Sequence, residues 1–214
     1  MNTKLLSFLF ALSLLSLIIS SNLYSDCNRG RTPENGEWVS YYIYSNKEKM
    51  ELKLAITGEE NVQGKKALWF ETIIRSQELE FIIKRLVTGD PLKPDKVLRQ
   101  IVKIINKKRP DYAPALELPA ESSDKAEDTL KSFPCIDKEG EKITYKFGKK
   151  SLNAFTFKSD KPKSMIIFSK EIPFFGVIRA ESDNTRIELT DYGRNASTEI
   201  TEEPIKLMNN KEEK

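Results

Sequence analysis

The 214-residue sequence contains no histidine, and this absence removes a large part of the known catalytic repertoire. Without imidazole, Ser-His-Asp and Cys-His catalysis are excluded, as are zinc sites built on histidine. Two cysteines are also too few for a structural zinc site. Carboxylates and carbonyl oxygens would have to hold a metal alone, and Asp90 with Asp95 lack the dense, alternating ligands of a calcium loop. We therefore expect neither a metal nor a cofactor.

Glycine is scarce, and the charges are nearly balanced. The nine glycines are scattered singly, so the sequence has no glycine-rich phosphate loop. Lys plus Arg (35) nearly equals Asp plus Glu (32), which gives no strong field of one sign and argues against nucleic-acid binding. A basic cluster follows an apolar segment and suits the C-terminal end of a helix. It consists of Lys103, Lys107, Lys108 and Arg109.

The long apolar run of the chain lies near its start, from Leu5 to Ile19, after the positive charge of Lys4. Its ~15 residues fall short of the ~20 that a membrane-spanning helix needs. Residues 1–25 are therefore predicted to be a secretory signal peptide, and the mature chain has no transmembrane span. It is expected to be periplasmic or otherwise exported, with a single domain over residues 26–199 and a charged, mobile tail over residues 200–214.

The two cysteines, Cys27 and Cys135, have several open fates in an exported chain. They can pair as a disulfide, which an oxidising compartment favours, or remain free thiols. Cys27 also follows the leader closely enough to be a lipid anchor. Asp26 argues against lipidation, because the residue before a lipidated cysteine is normally small and neutral.

Alternating hydrophobicity predicts a meander of strands after the leader. Met50, Leu52, Leu54 and Ile56 alternate with polar residues and form one face of a half-buried strand. The preceding segment, 38–44, is rich in tyrosine and completes a hairpin. Large apolar groups lie on both faces of the next strand, 67–75, as in a sheet covered on both sides or in one whose inner face lines a cavity while another segment packs outside. A further strand is predicted over 79–87.

The spacing of apolar residues after Pro94 predicts a helix over 95–108. Two prolines in Gly89–Pro94 are expected to end strand structure before it, and Pro94 suits a first helical position. The alternative is a strand over Ile101–Ile105, where β-branched residues crowd. The apolar residues of the segment are Val97, Leu98, Ile101, Val102, Ile104 and Ile105.

The rest of the chain predicts a long polar loop and five more strands. The loop covers residues 110–134, with an acidic run over 121–128 and an isolated helix possible over 122–130. Strand signals return over 142–147, 153–158, 164–169, 176–180 and 185–190. The expected fold is mainly β (α+β): a curved antiparallel sheet or half-barrel of about nine strands with an inserted helix across it.

Four segments resemble the family of exported bacterial proteins that includes LolA and LolB, the periplasmic carriers of lipoproteins. They are Gly36–Tyr41, Leu68–Glu71, Ile172–Arg179 and Glu188–Gly193. The resemblance implies a half-barrel that holds an acyl chain on an aromatic-lined concave face, without catalysis. The lining residues would be Trp38, Trp69, Phe81 and Ile83, with Phe174 and Phe175 at the rim. Each of these side chains could equally be ordinary core.

Three functions remain open from the sequence. The first is a binding protein of the cell envelope for a lipid or lipoprotein. The second is a scaffold that uses the same fold to present its charged surface and long loop to a protein partner, with no small ligand. The third is an enzyme that works through paired carboxylates or a Ser-Lys arrangement, for which Glu71 and Glu80 are the acids most expected to be partly buried.

Overall fold

The computed structural model describes residues 31–45, 48–110, 113–119, 140–160 and 163–207, which form a single sheet of twelve strands. The strands are β1 (Trp38–Ser45), β2 (Glu48–Val62), β3 (Lys65–Arg75), β4 (Leu79–Asp90), β5 (Lys93–Asn106), β6 (Leu116–Leu118), β7 (Glu141–Phe147), β8 (Lys150–Asp160), β9 (Lys163–Phe168), β10 (Val177–Ser182), β11 (Thr185–Gly193) and β12 (Ile205–Lys206). Within these ranges, no helix has the length and apolar character needed to cross a bilayer.

The sheet is built from two antiparallel meanders joined by the first and eleventh strands. Its spatial order is β12-β6-β5-β4-β3-β2-β1-β11-β10-β9-β8-β7. Consecutive strands pair from β1 to β6 in one half and from β7 to β11 in the other. The two halves meet where β1 pairs with β11, from Trp38 opposite Gly193 to Ser45 opposite Thr185. Strand β12 joins the edge by parallel pairing with β6.

The predicted helix over 95–108 is wrong, because this segment is strand β5. Strand β4 runs to Asp90 and β5 starts at Lys93, so the two prolines lie in a hairpin and Pro94 pairs with Gly89 inside the ladder. Both faces of β5 carry apolar side chains and a bulge interrupts its register near Val97, so that apolar residues recur at helix-like spacings. The β-branched residues over 101–105 favour the strand.

The expectation of a nine-stranded half-barrel with an inserted helix is therefore corrected to an open sheet of twelve strands, with no helix in the described part of the chain. Besides β5, the sequence missed β6 and β12, which have three and two residues and so give no periodic signal. The basic cluster does not end a helix either. Lys103 lies in β5 and pairs with Glu202 at 2.5 Å, and the Lys107 amine donates to the carbonyl of Ser76.

Several sequence predictions fall outside the described residues. These are the signal peptide over 1–25, both cysteines (Cys27 and Cys135), and the acidic run with its possible helix over 121–130.

The sheet curls, and this defines an inner face. The rings of Phe147 on β7 and Tyr192 on β11 lie 5.8 Å apart. Four strand spacings of roughly 4.8 Å would hold them about 19 Å apart in a flat sheet. We call the side that carries Tyr192 the inner face. Register places Val39, Leu54 and Phe70 on the same side.

The inner face between β1, β2 and β11 is filled by the main core. Directly opposed residues of an antiparallel pair share a face, which brings inward-facing side chains of neighbouring strands into contact. The members from these three strands are Val39, Tyr41, Ile43, Met50, Leu52, Leu54, Ile56, Ile187 and Leu189.

The outer face of β2 to β5 is covered by residues 194–204, which we call the crossing segment. It leaves the end of β11, passes over β2, β3 and β5, and delivers residues 205–206 to β6. Ile200 is buried there against a second core of outer-face side chains, among them Ile73, Ile82 and Ile101. The crossing segment therefore covers the outer face of the sheet. No described strand covers the inner face of β4 to β6.

Candidate functional site

The structure places the six predicted lining residues in three different locations. Phe81 and Ile83 alternate on the inner face of β4, opposite Ile74 and Thr72 of β3. Trp38 and Trp69 lie on the outer face. Phe174 and Phe175 belong to the loop between β9 and β10. The residues that the sequence grouped into one slot therefore do not converge, and of the six only Phe81 and Ile83 lie next to each other on the inner face of the sheet.

Phe81 and Ile83 belong to a continuous apolar surface on three adjacent strands. Ile104 lies opposite Phe81 and Val102 lies opposite Ile83, while β6 adds its two leucines beyond β5. Ile104 is 50% exposed and the other side chains are half-buried. We call this surface the apolar patch; it consists of Phe81, Ile83, Val102, Ile104, Leu116 and Leu118.

The apolar patch ends at a polar pair. Arg85 follows Ile83 on the inner face of β4, and Gln100 lies directly opposite it on β5. The Nε of Arg85 donates a hydrogen bond of 2.7 Å to Oε1 of Gln100. Gln100 is 7% exposed, so the pair lies within the sheet surface and not at its rim. Leu118 of the patch is opposite Gln100 on the next strand.

Beyond β3 the inner face is closed by the loop between β9 and β10. Phe174 is fully buried, and its ring stacks on Phe70 with centroids 5.9 Å apart. Four strand spacings separate β3 from β10, so the loop must fold across the inner face to make this contact. Ser169 pins the loop base, because its amide donates to the carbonyl of Gly176 and its hydroxyl donates to the carbonyl of Asn153. The apolar patch therefore lies beside this loop, on the part of the inner face formed by β4 to β6.

Trp69 is held on the outer face by charged groups. Its indole Nε1 donates to Glu60 at 2.7 Å, and the side chains of Lys84 and Arg99 lie over its ring at 4.9 and 5.3 Å. Trp69 is 8% exposed. Burial is the main cause that lowers the pKa of Lys84. Cation–π contact and the indole hydrogen bond fix Trp69 as part of the second core.

Trp38 lies where the crossing segment begins. Its Nε1 donates to the carbonyl of Arg194 at 3.2 Å, and a Cβ added at Gly193 would lie 3.2 Å from the indole. The neighbouring Glu37 is 1% exposed and accepts hydrogen bonds from the guanidinium of Arg31 and the amide of Glu34. Burial acts to raise the pKa of Glu37, but the bonds from Arg31 and Glu34 outweigh it and the pKa is lowered.

The two acids proposed for an enzyme are both used in structural contacts. Glu71 is fully buried on β3 and accepts hydrogen bonds from the Thr198 hydroxyl at 2.6 Å and the Glu199 amide at 3.0 Å. Glu80 accepts from Nε of Arg75 at 3.1 Å. Glu71 therefore anchors the crossing segment, while Glu80 belongs to the charged network around Arg75.

That network ties the crossing segment to β2 and β3. Glu199 pairs with Lys53 at 3.0 Å and accepts a short hydrogen bond from Nη2 of Arg75. Burial acts to raise the pKa of Glu199, but the hydrogen bonds from Arg75 and Lys53 prevail and hold it below its usual value.

Two further polar features lie away from the apolar patch. The Asp90 carboxylate accepts the amide of Leu92 in the β4–β5 turn, and among the described residues no three His, Cys, Asp or Glu side chains cluster as metal ligands. A mixed-charge cleft of about 710 Å³ lies where the ends of β1 and β8 to β11 meet. Its charged lining residues are Lys158, Asp160, Lys163, Glu181, Asp183 and Arg186.

Sequence reasoning missed most of the site. Val102 and Ile104 were assigned to the wrong element, and Leu116, Leu118, Arg85 and Gln100 were not singled out. The alternation of Phe81, Ile83 and Arg85 is visible in the sequence, but their partners depend on strand register.

Comparison of the chain with protein-family models, curated proteins and solved structures finds no match.

Proposed function

We propose that the protein is an exported, non-enzymatic binding protein that holds an apolar group, such as the acyl chain of a lipid or lipoprotein, on the apolar patch. The observation that carries the proposal is the run of six apolar side chains across β4, β5 and β6, with Ile104 half exposed. The resemblance of the chain to the LolA and LolB carriers points to the same class of ligand.

Apolar contact alone can supply the affinity. Burying a methylene group contributes about 0.8 kcal/mol, so a chain of several carbons needs no catalytic or metal-binding residue to be held. Three adjacent strands present a surface roughly 10 Å wide, which exceeds the width of one extended chain. The rigidity of paired strands keeps this surface formed before the ligand arrives.

The test is titration of the purified mature domain with a fluorescent fatty acid. Ile104→Glu places a charge in the apolar patch at a site that is already 50% exposed, and we expect its affinity to fall at least about ten-fold. Thr144→Glu is the control, because it adds the same charge at an exposed position on β7, the opposite edge strand of the sheet, and its affinity should be unchanged.

Trp69→Phe is a second control, because it alters the outer face and keeps an aromatic ring. Equal losses in the Ile104 and Thr144 variants would contradict a specific site. Native mass spectrometry of protein purified without detergent adds an independent readout. A clean apo mass together with no probe binding would favour the alternative, an envelope scaffold with no small ligand.

A further inference from the structure

We infer that strand β7 binds a partner protein by pairing with an extended segment of that partner, in which two acidic residues flank an apolar residue, a residue of any type and a second apolar residue. The inference is independent of the ligand of the apolar patch, because β7 and strands β4 to β6 lie towards opposite ends of the strand order. Its basis is the edge of β7, which no described strand occupies, together with Lys142 and Lys146 on that strand.

The edge formed by β7 is long and regular enough to receive another strand. Strand β7 has seven residues and pairs with β8 alone among the described strands, whereas β12 at the other edge has two residues. Its register with β8 is uninterrupted from Glu141 opposite Thr156 to Phe147 opposite Lys150. Bulges, prolines and very short strands are devices that prevent an edge from pairing, and β7 has none of them.

The backbone groups of alternate β7 residues point to this edge. Asn153 of β8 lies opposite Thr144, but its amide donates to Glu171 at 2.9 Å and its carbonyl accepts the hydroxyl at the base of the β9–β10 loop. Both groups of Asn153 therefore point away from β7. Because bonded and non-bonded pairs alternate along an antiparallel ladder, the N–H and C=O groups of Lys142, Thr144 and Lys146 face the edge, where another strand can bond them.

The side chains of β7 form an apolar inner row and a charged outer row. Ile143, Tyr145 and Phe147 face inward and are half-buried at the border of the main core. Lys142 and Lys146 face outward and are exposed, and neither forms an ion pair within the described ranges. Four residues of strand separate them, about 14 Å. An added strand would therefore cover the inner row with apolar side chains and meet the lysines with residues four positions apart.

The two lysines favour an acidic partner over a second copy of the chain. If two β7 strands paired antiparallel about Thr144, Lys142 of each copy would lie opposite Lys146 of the other, and directly opposed like charges are destabilising. Acidic residues at these two positions of a partner would turn both contacts into ion pairs. The lysines that discourage self-association therefore also select the partner.

The experiment measures, by fluorescence anisotropy, the binding of two labelled peptides with the core sequences Glu-Val-Thr-Val-Glu and Lys-Val-Thr-Val-Lys. We expect the protein to bind the acidic peptide at least about five-fold more tightly at low ionic strength, because ion pairs replace like-charge contacts. In Lys142→Glu/Lys146→Glu the preference should reverse. Lys65→Glu/Lys163→Glu is the matched control, because it changes the net charge equally at exposed positions of β3 and β9, and the preference should remain.

N-methylated forms of the acidic peptide test the backbone pairing. A methyl group on the central threonine blocks an amide that faces β7 and should abolish binding, whereas a methyl group on one valine blocks an amide that faces away and should leave most of it. Failure of the acidic peptide to bind, a preference that Lys142→Glu/Lys146→Glu leaves unchanged, or equal effects of the two methyl groups would each overturn the inference. Self-association of the wild-type protein in competition with the peptide would also overturn it, because the edge would then take a second copy.

Discussion

Phe174 combines full burial with a backbone conformation that side chains avoid. Its φ is 64°, in the left-handed region that usually favours glycine, and its ring stacks on Phe70 inside the core. A bulky residue adopts this conformation only where packing compensates for it. The burial of the ring against β3 provides that compensation and holds the loop between β9 and β10 across the inner face.

This arrangement predicts an unusual order of stability at position 174. Phe174→Ala should lower the free energy of unfolding by about 3–5 kcal/mol, because the ring leaves a cavity. Glycine normally destabilises more than alanine, but at this φ it escapes the backbone strain. Phe174→Gly should therefore be as stable as Phe174→Ala or more stable by up to about 1 kcal/mol, as measured by urea unfolding.

Ile172 is a suitable comparison, because it is also fully buried in the same loop and is not among the positive-φ residues. There the usual order should hold, with Ile172→Gly less stable than Ile172→Ala. A larger loss for Phe174→Gly than for Phe174→Ala would show that position 174 carries no backbone strain.

Among the elements, the crossing segment depends on carboxylates that must stay ionised. Glu199 accepts hydrogen bonds from Arg75 and Lys53, and Glu202 pairs with Lys103. The hydrogen bond from Lys103 is the main cause that lowers the pKa of Glu202, whereas that of Glu199 is lowered by Arg75 and Lys53 against the effect of burial.

The sign of the pH dependence follows from these shifts. A lowered pKa means that the folded state binds fewer protons than the unfolded state, so these groups stabilise the fold fully above their ordinary pKa of 4.5. The contribution is lost as the pH falls below that value towards the folded-state pKa. We expect the free energy of unfolding to be level near neutral pH and to fall below about pH 4.5, with a shallower fall in Glu199→Gln.

Urea unfolding at a series of pH values measures this dependence. An identical slope in wild type and Glu199→Gln would show that the ion pairs of the crossing segment do not contribute to acid sensitivity.

The strand signal in the sequence is clearest where one face of the strand is buried. Strand β2 alternates Met50, Leu52, Leu54 and Ile56 inward, and its signal is unambiguous. Strand β5 has apolar residues on both faces because the crossing segment covers the outer one, and its mixed spacing imitates a helix. Strand β12 has two exposed residues, and pairing with β6 is what makes it a strand. Local pattern cannot reveal a cover supplied by a distant segment.

At the scale of the whole molecule, the curl of the sheet brings distant strands together. Phe147 and Tyr192 are in ring contact at 5.8 Å, and the Lys150 amine lies 4.5 Å from the centre of the same tyrosine ring. These contacts join the edge hairpin of β7 and β8 to the middle of the sheet. The interaction energy between the two rings can be measured, which provides a test of the curvature.

A double-mutant cycle on Phe147 and Tyr192 tests the curvature. If the rings touch in solution, Phe147→Ala and Tyr192→Ala should couple by about 0.5–1.5 kcal/mol in the free energy of unfolding. Phe147→Ala combined with Tyr42→Ala is the control, because Tyr42 lies on β1 and faces outward, and this pair should be additive within about 0.5 kcal/mol. No coupling between Phe147 and Tyr192 would contradict the curled sheet.

Part of the candidate site could be predicted from the sequence, because alternation along a strand determines which residues share a face. Phe81 and Ile83 lie two residues apart on one strand and must share a face. Trp69 could not be placed, because β3 is apolar on both sides and the bulge between Ile56 and Gly58 sets its register against β2. Trp38 could not be placed either, because β1 carries aromatic residues on both faces. The contact between Arg85 and Gln100 depends on the register of β4 with β5, which a single sequence does not provide.

The pairing of β1 with β11 has a consequence for how the molecule forms. Strand β1 pairs with β11 from Trp38 opposite Gly193 onwards, so its hydrogen bonds on that side form only when nearly the last part of the described chain is available. Contacts of such high sequence separation slow folding, and sheets dominated by them typically form in milliseconds to seconds. Until then the free edge of β1 can pair with a strand of another molecule. The sheet therefore cannot be completed until the C-terminal part of the described chain is available to pair with β1. The chain is most prone to aggregate before that pairing forms.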